Sequence, residues 1–222
     1  MRRTLLGMAL LGLGIAAGAA RVQTQAPTTL SFFITSAGSG DGANLGGLAG
    51  ADAICQKLGA AAGAGNRTWR AYLSASAAGS QPAVNAKDRI GSGPWYNAKG
   101  VLAAQNVADL HNEAVTKVGK ENSLTEKGAV WNGRGDTPNM HDILTGSNMD
   151  GTLASGTGDV TCSNWTSNKG DGSALVGHHD RQGGGANPNS WNSAHPSKGC
   201  SQANLVATGG AGPIHRGPRC HP

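Results

Sequence analysis

The chain has 222 residues, enough for one domain with extras, and its formal charge of +5 comes from lysines and arginines scattered along it. So mild and dispersed a balance excludes the usual basic surface for nucleic acid. With 36 glycines and only 4% aromatic residues there is little to fill a core, so long irregular segments must be held by turns, side-chain hydrogen bonds and covalent bridges.

Met1-Arg2-Arg3 leads into an apolar run from Leu5 to Ala20 that ends in Ala17-Gly18-Ala19-Ala20. A charged start, a short apolar middle and a small-residue exit make residues 1–20 a signal peptide. The run is short and glycine-interrupted, and no second apolar stretch follows, so no membrane insertion is expected. Removing it takes away Arg2 and Arg3 and no acid, leaving 16 basic against 13 acidic residues, a charge of +3. The mature protein is expected to be secreted or periplasmic, where four cysteines make two disulfides; counting alone leaves three pairings open.

Residues 21–29 read as a flexible leader and residues 30–222 as a single domain. Leu30 to Thr35 is rich in β-formers and reads as the first strand. Asp41 or Asn44 is expected to cap the helix that follows, in which Leu48, Ala51, Cys55 and Leu58 recur at helical spacing before Gly59 and Gly63. One carboxylate and one amide there are too few for calcium. Thr68 to Ser74 alternates, with Trp69, Ala71 and Leu73 opposite Arg70, Tyr72 and Ser74, as a half-buried strand does. Val84 to Ile90 reads as a short polar helix broken by Gly93-Pro94-Trp95-Tyr96. Val101 to Leu110 reads as strand and turn, residues 112–128 as a surface excursion, and Ala129-Val130-Trp131 as another strand. His141-Asp142-Ile143-Leu144 is a strand running toward the tight turn Asn148-Met149-Asp150-Gly151.

The segment from Cys162 to Cys200 is polar and glycine-rich, with no periodicity long enough for a helix or a regular strand pair. It cannot hold itself together by burial, so a Cys162–Cys200 disulfide is expected; closing 38 residues is worth roughly 4 kcal/mol in the chain-entropy model. Such a stapled loop suits recognition of a glycan or another extracellular polymer. Trp165 and Trp191 would be the apolar platforms, and Asp150, Asn164, His178, Asp180 and Asn192 the polar contacts. No Gly-x-Ser-x-Gly elbow and no reactive Cys–His pair is present, which reads against an enzyme. The alternatives are a metal-dependent hydrolase using His178, His179, Asp180 and His195, with His141 as a further candidate, or a purely structural cell-surface role. Adjacent histidines in a strand point to opposite faces, so His178 and His179 could share a site only from a loop.

The order of these features resembles a known family. The early cysteine-bearing helix, the strand Thr68-Trp69-Arg70-Ala71-Tyr72-Leu73-Ser74, Val84-Asn85-Ala86-Lys87-Asp88, Thr145-Gly146-Ser147-Asn148-Met149-Asp150-Gly151, Cys162-Ser163-Asn164-Trp165 and the late Cys200 resemble the endostatin domain of certain collagens. They are similar more broadly to C-type-lectin-like domains and to bacterial exported proteins labelled lectins. The resemblance implies an α+β fold: a twisted antiparallel sheet with flanking helices and a long disulfide-stapled loop region. It also implies nested bridges, Cys55 to Cys220 around Cys162 to Cys200. The tail from Gly212 to Pro222, with three prolines and two arginines, reads against a central last strand and so against the outer bridge. The family's calcium motif meets Trp191-Asn192-Ser193, with Ser193 in place of the carboxylate, and its zinc site needs histidines that residues 21–29 lack. No cofactor is expected, calcium and zinc each lacking a full motif.

Overall fold

A computed structural model describes residues 29–156, 158–209 and 219–222. The expected signal peptide and nearly all of the leader lie outside these residues. Among these residues the chain is mixed α/β, with three small antiparallel sheets and two disulfides. Its strands are β1 (Phe33–Ile34), β2 (Arg70–Ala71), β3 (Trp95–Tyr96), β4 (Leu102–Ala104), β5 (Asp142–Leu144), β6 (Leu175–His178), β7 (His195–Pro196) and β8 (Arg219–His221). The helical segments are α1 (Gly47–Ala61), α2 (Val107–Leu110), α3 (Cys162–Trp165) and α4 (Gln202–Thr208), with a 3-10 turn at Ala86–Arg89. The sheets run β1-β8-β2, β3-β4 and β5-β6-β7.

Helix α1 follows its spacing: Ala51, Cys55 and Gly59 form the buried stripe. Gly59 has no room for a side chain, because a Cβ there would run into the Trp69 indole. The helix starts at Gly46 with φ 78° and no side-chain cap. Asp41 and Asn44 instead bind each other, Asn44 Nδ2 donating to Asp41 Oδ2 at 2.8 Å, so the expected cap is corrected.

The tail is a larger correction. Strand β8 is the central strand of its sheet, with Cys220 paired to Phe33 of β1 on one side and to Ala71 of β2 on the other. Cys55 and Cys220 are bridged with Cα atoms 5.5 Å apart, and Cys162 and Cys200 at 5.7 Å. A tail arginine is tolerated inside because Arg219 lies over two rings, 4.9 Å from the Trp191 centroid and 5.2 Å from Phe32, and donates from Nη1 to Ser123 Oγ at 3.1 Å. The strand itself is only Arg219–His221, and Pro218 and Pro222 stand on either side of it in the sequence rather than within it.

Residues 112–128 are not merely an excursion: Val118, Ser123, Leu124, Thr125 and Glu126 are buried. The Ile34 amide donates to Leu124 O at 2.9 Å, and Ser36 donates from N and Oγ to the Glu126 carboxylate. Ala129 to Trp131 forms no strand.

Two cores result. One lies between α1 and the β1-β8-β2 sheet and takes in Phe33, Trp69, Trp165 and all four cysteines. The other gathers Phe32, Tyr72, Trp95, Leu110 and Trp191. The Cys162–Cys200 segment, expected to be irregular, contributes β6 and β7. Their order comes from pairing with β5, a tertiary partner that local periodicity does not record.

Candidate functional site

The sheet β5-β6-β7 brings one polar residue from each strand to the same place. Asp142 of β5 stands directly opposite His178 of β6, and His195 of β7 opposite Val176, two residues before His178. His141, immediately before β5, stacks on His178 with centroids 4.3 Å apart and planes within 6°. His195 lies against the same ring, with centroids 5.0 Å apart.

Their polar atoms converge on one carboxylate oxygen. Asp142 Oδ1 is 3.3 Å from His141 Nε2, 3.4 Å from His178 Nε2 and 3.8 Å from His195 Nε2. Ligand atoms of His141, Asp142 and His178 all lie within 4.8 Å of one another. The Asp142 side chain is buried, and neither of its oxygens accepts a hydrogen bond among the described residues. An ionised carboxylate in that position is costly unless a proton or a cation compensates it.

The other ring nitrogens fix which atoms are available. His141 Nδ1 faces Gln182 O at 2.8 Å, His178 Nδ1 faces Pro188 O at 2.8 Å, and His195 Nδ1 faces Pro196 O at 3.1 Å. A carbonyl oxygen only accepts, so each Nδ1 carries the proton and donates it. In the neutral rings every Nε2 is then a bare lone pair. His178 Nε2 and His195 Nε2 stand 3.0 Å apart, so these two lone pairs repel unless a positive charge comes between them.

Electrostatics agree with that arrangement. Burial pushes the Asp142 carboxyl up, against the opposing pull of His141 and His195. Burial also takes His178 down to about 4, which keeps it neutral at physiological pH. For His141 burial acts downward, but Asp180 and Asp142 outweigh it and raise the group. Burial acts upward on Asp180, yet hydrogen bonds from His141 and the Arg134 and Gln182 amides leave it well below the usual carboxylate range. Asp180 thus stays ionised beside His141 Nδ1, 3.4 Å away, and orients that ring rather than facing the centre.

Backbone packs closely around the cluster. A Cβ on Gly209, which has φ 144°, would come 2.8 Å from Asp142 Oδ2 and 3.1 Å from His141 Nε2, and one on Gly183 would strike the His178 ring. Among the three histidines only His195 has appreciable exposure, its side chain being 22% accessible.

The residues expected to form a glycan surface are dispersed. Trp165 is 0% and Trp191 1% exposed, so neither presents a ring face to a ligand. Each is core: Trp165 Nε1 donates to Ser74 O at 2.8 Å and Trp191 Nε1 to Leu110 O at 2.9 Å. In a chain so short of aromatics, burial claims the large rings first. Asn192 is buried too, donating to Tyr72 Oη, Asn148 O and Met149 O. Asn164 pairs with the backbone of Ser76, and Asp150, 64% exposed, accepts from Thr152 on the surface. His178 and His195 do come together, around Asp142, while Asp180 stands behind the His141 ring. His179 points elsewhere, its Nε2 donating to Asn132 O at 3.0 Å, as alternation along a strand requires. Asp142 was not legible in the sequence because two of its three partners, His178 and His195, lie 36 and 53 residues away; the adjacent His141-Asp142 at a strand start was the one local signal.

A separate cavity of about 440 Å³ opens beside the Cys162–Cys200 bridge, lined by polar groups that include Asp159, Ser163, Thr166, Asn168, Lys169 and Asp171. Its wall contains α3, a single left-handed turn in which Cys162, Ser163, Asn164 and Trp165 have φ from 46° to 66°. Left-handed turns of non-glycine residues cost ~1–2 kcal/mol per residue. The Asp159 carboxylate offsets part of this by accepting from Thr161 N and Oγ1 and from Ser163 N, and the disulfide and the buried Trp165 hold the turn in place.

No protein-family model matches the chain, and no curated protein matches it. Among the described residues no helix is long and apolar enough to cross a membrane.

Proposed function

We propose that this protein is an exported domain of C-type-lectin-like, endostatin-like architecture that binds a late first-row transition-metal ion, zinc in class, at His141, Asp142 and His178. The observation that carries the reading is the buried Asp142 carboxylate, unpartnered by any hydrogen bond, facing imidazole nitrogens whose other ring atoms are committed as donors. Imidazole nitrogen with a single carboxylate suits zinc, copper, iron or nickel, whereas calcium and magnesium require a shell of oxygens. The backbone carbonyls on Nδ1 supply the outer hydrogen bonds that metal-binding histidines ordinarily have. The fold reading is supported by the nested bridges and by the pairing of the first and last strands, β1 with β8.

The test is metal content. Protein dialysed against buffered zinc should retain one equivalent per chain, and Asp142→Ala and His178→Ala should retain none while keeping the near-ultraviolet dichroism of the wild type. Wild-type protein that emerges free of metal would refute the reading.

The polar cavity beside Cys162–Cys200 supports a second activity, recognition of a polyhydroxylated ligand such as a glycan. Its hydroxyl, amide, carboxylate and ammonium groups match sugar hydroxyls without requiring an aromatic platform. A glycan array probed with wild type and Asp171→Ala checks it; equal signals from both would remove this cavity from the account.

A further inference from the structure

Resting on the metal reading above, we infer that His195 is the fourth ligand of the ion, so that the centre is closed by four protein side chains and has no position for a substrate. Ligands ~2.0–2.1 Å from a tetrahedral ion stand ~3.3 Å from one another. The separations from Asp142 Oδ1 to His141 Nε2 and to His178 Nε2 are 3.3 and 3.4 Å, and that between His178 Nε2 and His195 Nε2 is 3.0 Å. The edge from Asp142 Oδ1 to His195 Nε2 is 3.8 Å, longer than these, and His195 lies outside the set of ligand atoms that are all within 4.8 Å of one another. His195 therefore completes a tetrahedron only by a movement of its ring that brings Nε2 closer to the other three ligands.

His195 is also the ring free to make that move. It is the partly exposed member, on a strand of two residues, and its Nδ1 is tied only to the carbonyl of the next residue. His141 and His178 are held by carbonyls 41 and 10 residues away and by their mutual stack. Without an ion, the 3.0 Å approach of two unprotonated Nε2 atoms has no attractive component; an ion beside both turns the same approach into a ligand edge. Such a centre takes one ligand from each of β5, β6 and β7 and one from the residue that leads into β5. It works as a staple that ties the three strands of this sheet together.

Cobalt substitution tests this on the whole mature protein. Four-coordinate Co²⁺ gives intense visible bands, while five-coordinate Co²⁺ with bound water gives weak ones that change when imidazole is added. Wild type is expected to show the intense pattern and to ignore imidazole. His195→Ala should show the weak pattern, respond to imidazole, and bind zinc more weakly by over the roughly 10–100-fold typical of losing an outer-shell contact. His195→Gln, with its melting temperature in chelator as the control for folding, should behave as His195→Ala does. Cobalt bands identical in wild type and both variants, or a wild-type spectrum that imidazole alters, would overturn the assignment of His195 and leave the three-residue site standing. A wild type that takes up no Co²⁺ would sink both readings.

Discussion

Replacing Asp142 by Asn separates a metal site from an ordinary buried acid, because the two predict opposite signs under two conditions. In chelator, wild type carries a buried carboxyl group with no hydrogen-bond donor to either oxygen. Leaving a buried polar group unsatisfied costs ~1–3 kcal/mol, and more for a charged one. Asn fills the same volume without the charge, so Asp142→Asn in chelator should be as stable as wild type or more stable. With free zinc at a hundredfold its dissociation constant, mass action adds about 2.7 kcal/mol to wild type. For a domain of this size 1 kcal/mol corresponds to about 2–4 °C, so the melting temperature should rise by about 5–10 °C. The amide is a poor ligand, and the variant should gain little. Scanning fluorimetry of both proteins, with zinc and with chelator, gives the four numbers needed. A wild type indifferent to zinc, or a variant that responds equally, would rule out Asp142 as a ligand.

Other consequences follow from the packing. Ending the chain at Gly212 deletes the central strand β8 and Cys220; loss of the native bridge alone costs about 2–5 kcal/mol, so the yield of folded protein should collapse, and an unchanged melting temperature would contradict the sheet order. Trp165→Ala should cost ~3–5 kcal/mol in a denaturant titration, since the ring is wholly buried and its Nε1 is bonded; a loss below ~1 kcal/mol would show that the ring is not core. His221 is buried, and burial together with Arg219 holds it well below the ordinary imidazole value of ~6.5. The unfolded chain then takes up a proton that the folded one refuses, so this contribution is present above pH ~6.5 and lost as pH falls below it. In chelator the denaturation midpoint should drop between about pH 7 and pH 5, and His221→Phe should flatten the slope; equal slopes would contradict the assignment.

Helix α1 and the Cys162–Cys200 bridge were legible in the sequence because helical spacing carries the first, and an even cysteine count with a segment too polar to pack by itself carries the second. The strand around Ala71 was legible in type, though Tyr72 and Ser74, assigned to the outer face, are buried under the second core and the Thr145 turn. Strand β8 was not, because what makes it a strand is the gap between β1 and β2 and the two rings that accept Arg219. Nothing in Arg219-Cys220-His221 reports either. The histidine–aspartate cluster was partly legible: His178, His195 and, as a further candidate, His141 were named, but their meeting point is Asp142, chosen by cross-strand register. The tryptophans misled for a related reason, since a ring in a polar segment reads as a platform until the rest of the chain is seen to close over it.

The central claim is most directly tested by anomalous diffraction at the zinc absorption edge on crystals of zinc-loaded protein. One strong peak per chain is expected, about 2.0–2.1 Å from the Nε2 atoms of His141, His178 and His195 and within bonding distance of Asp142 Oδ1. A difference map empty at that point, or a peak held by other residues, would contradict it.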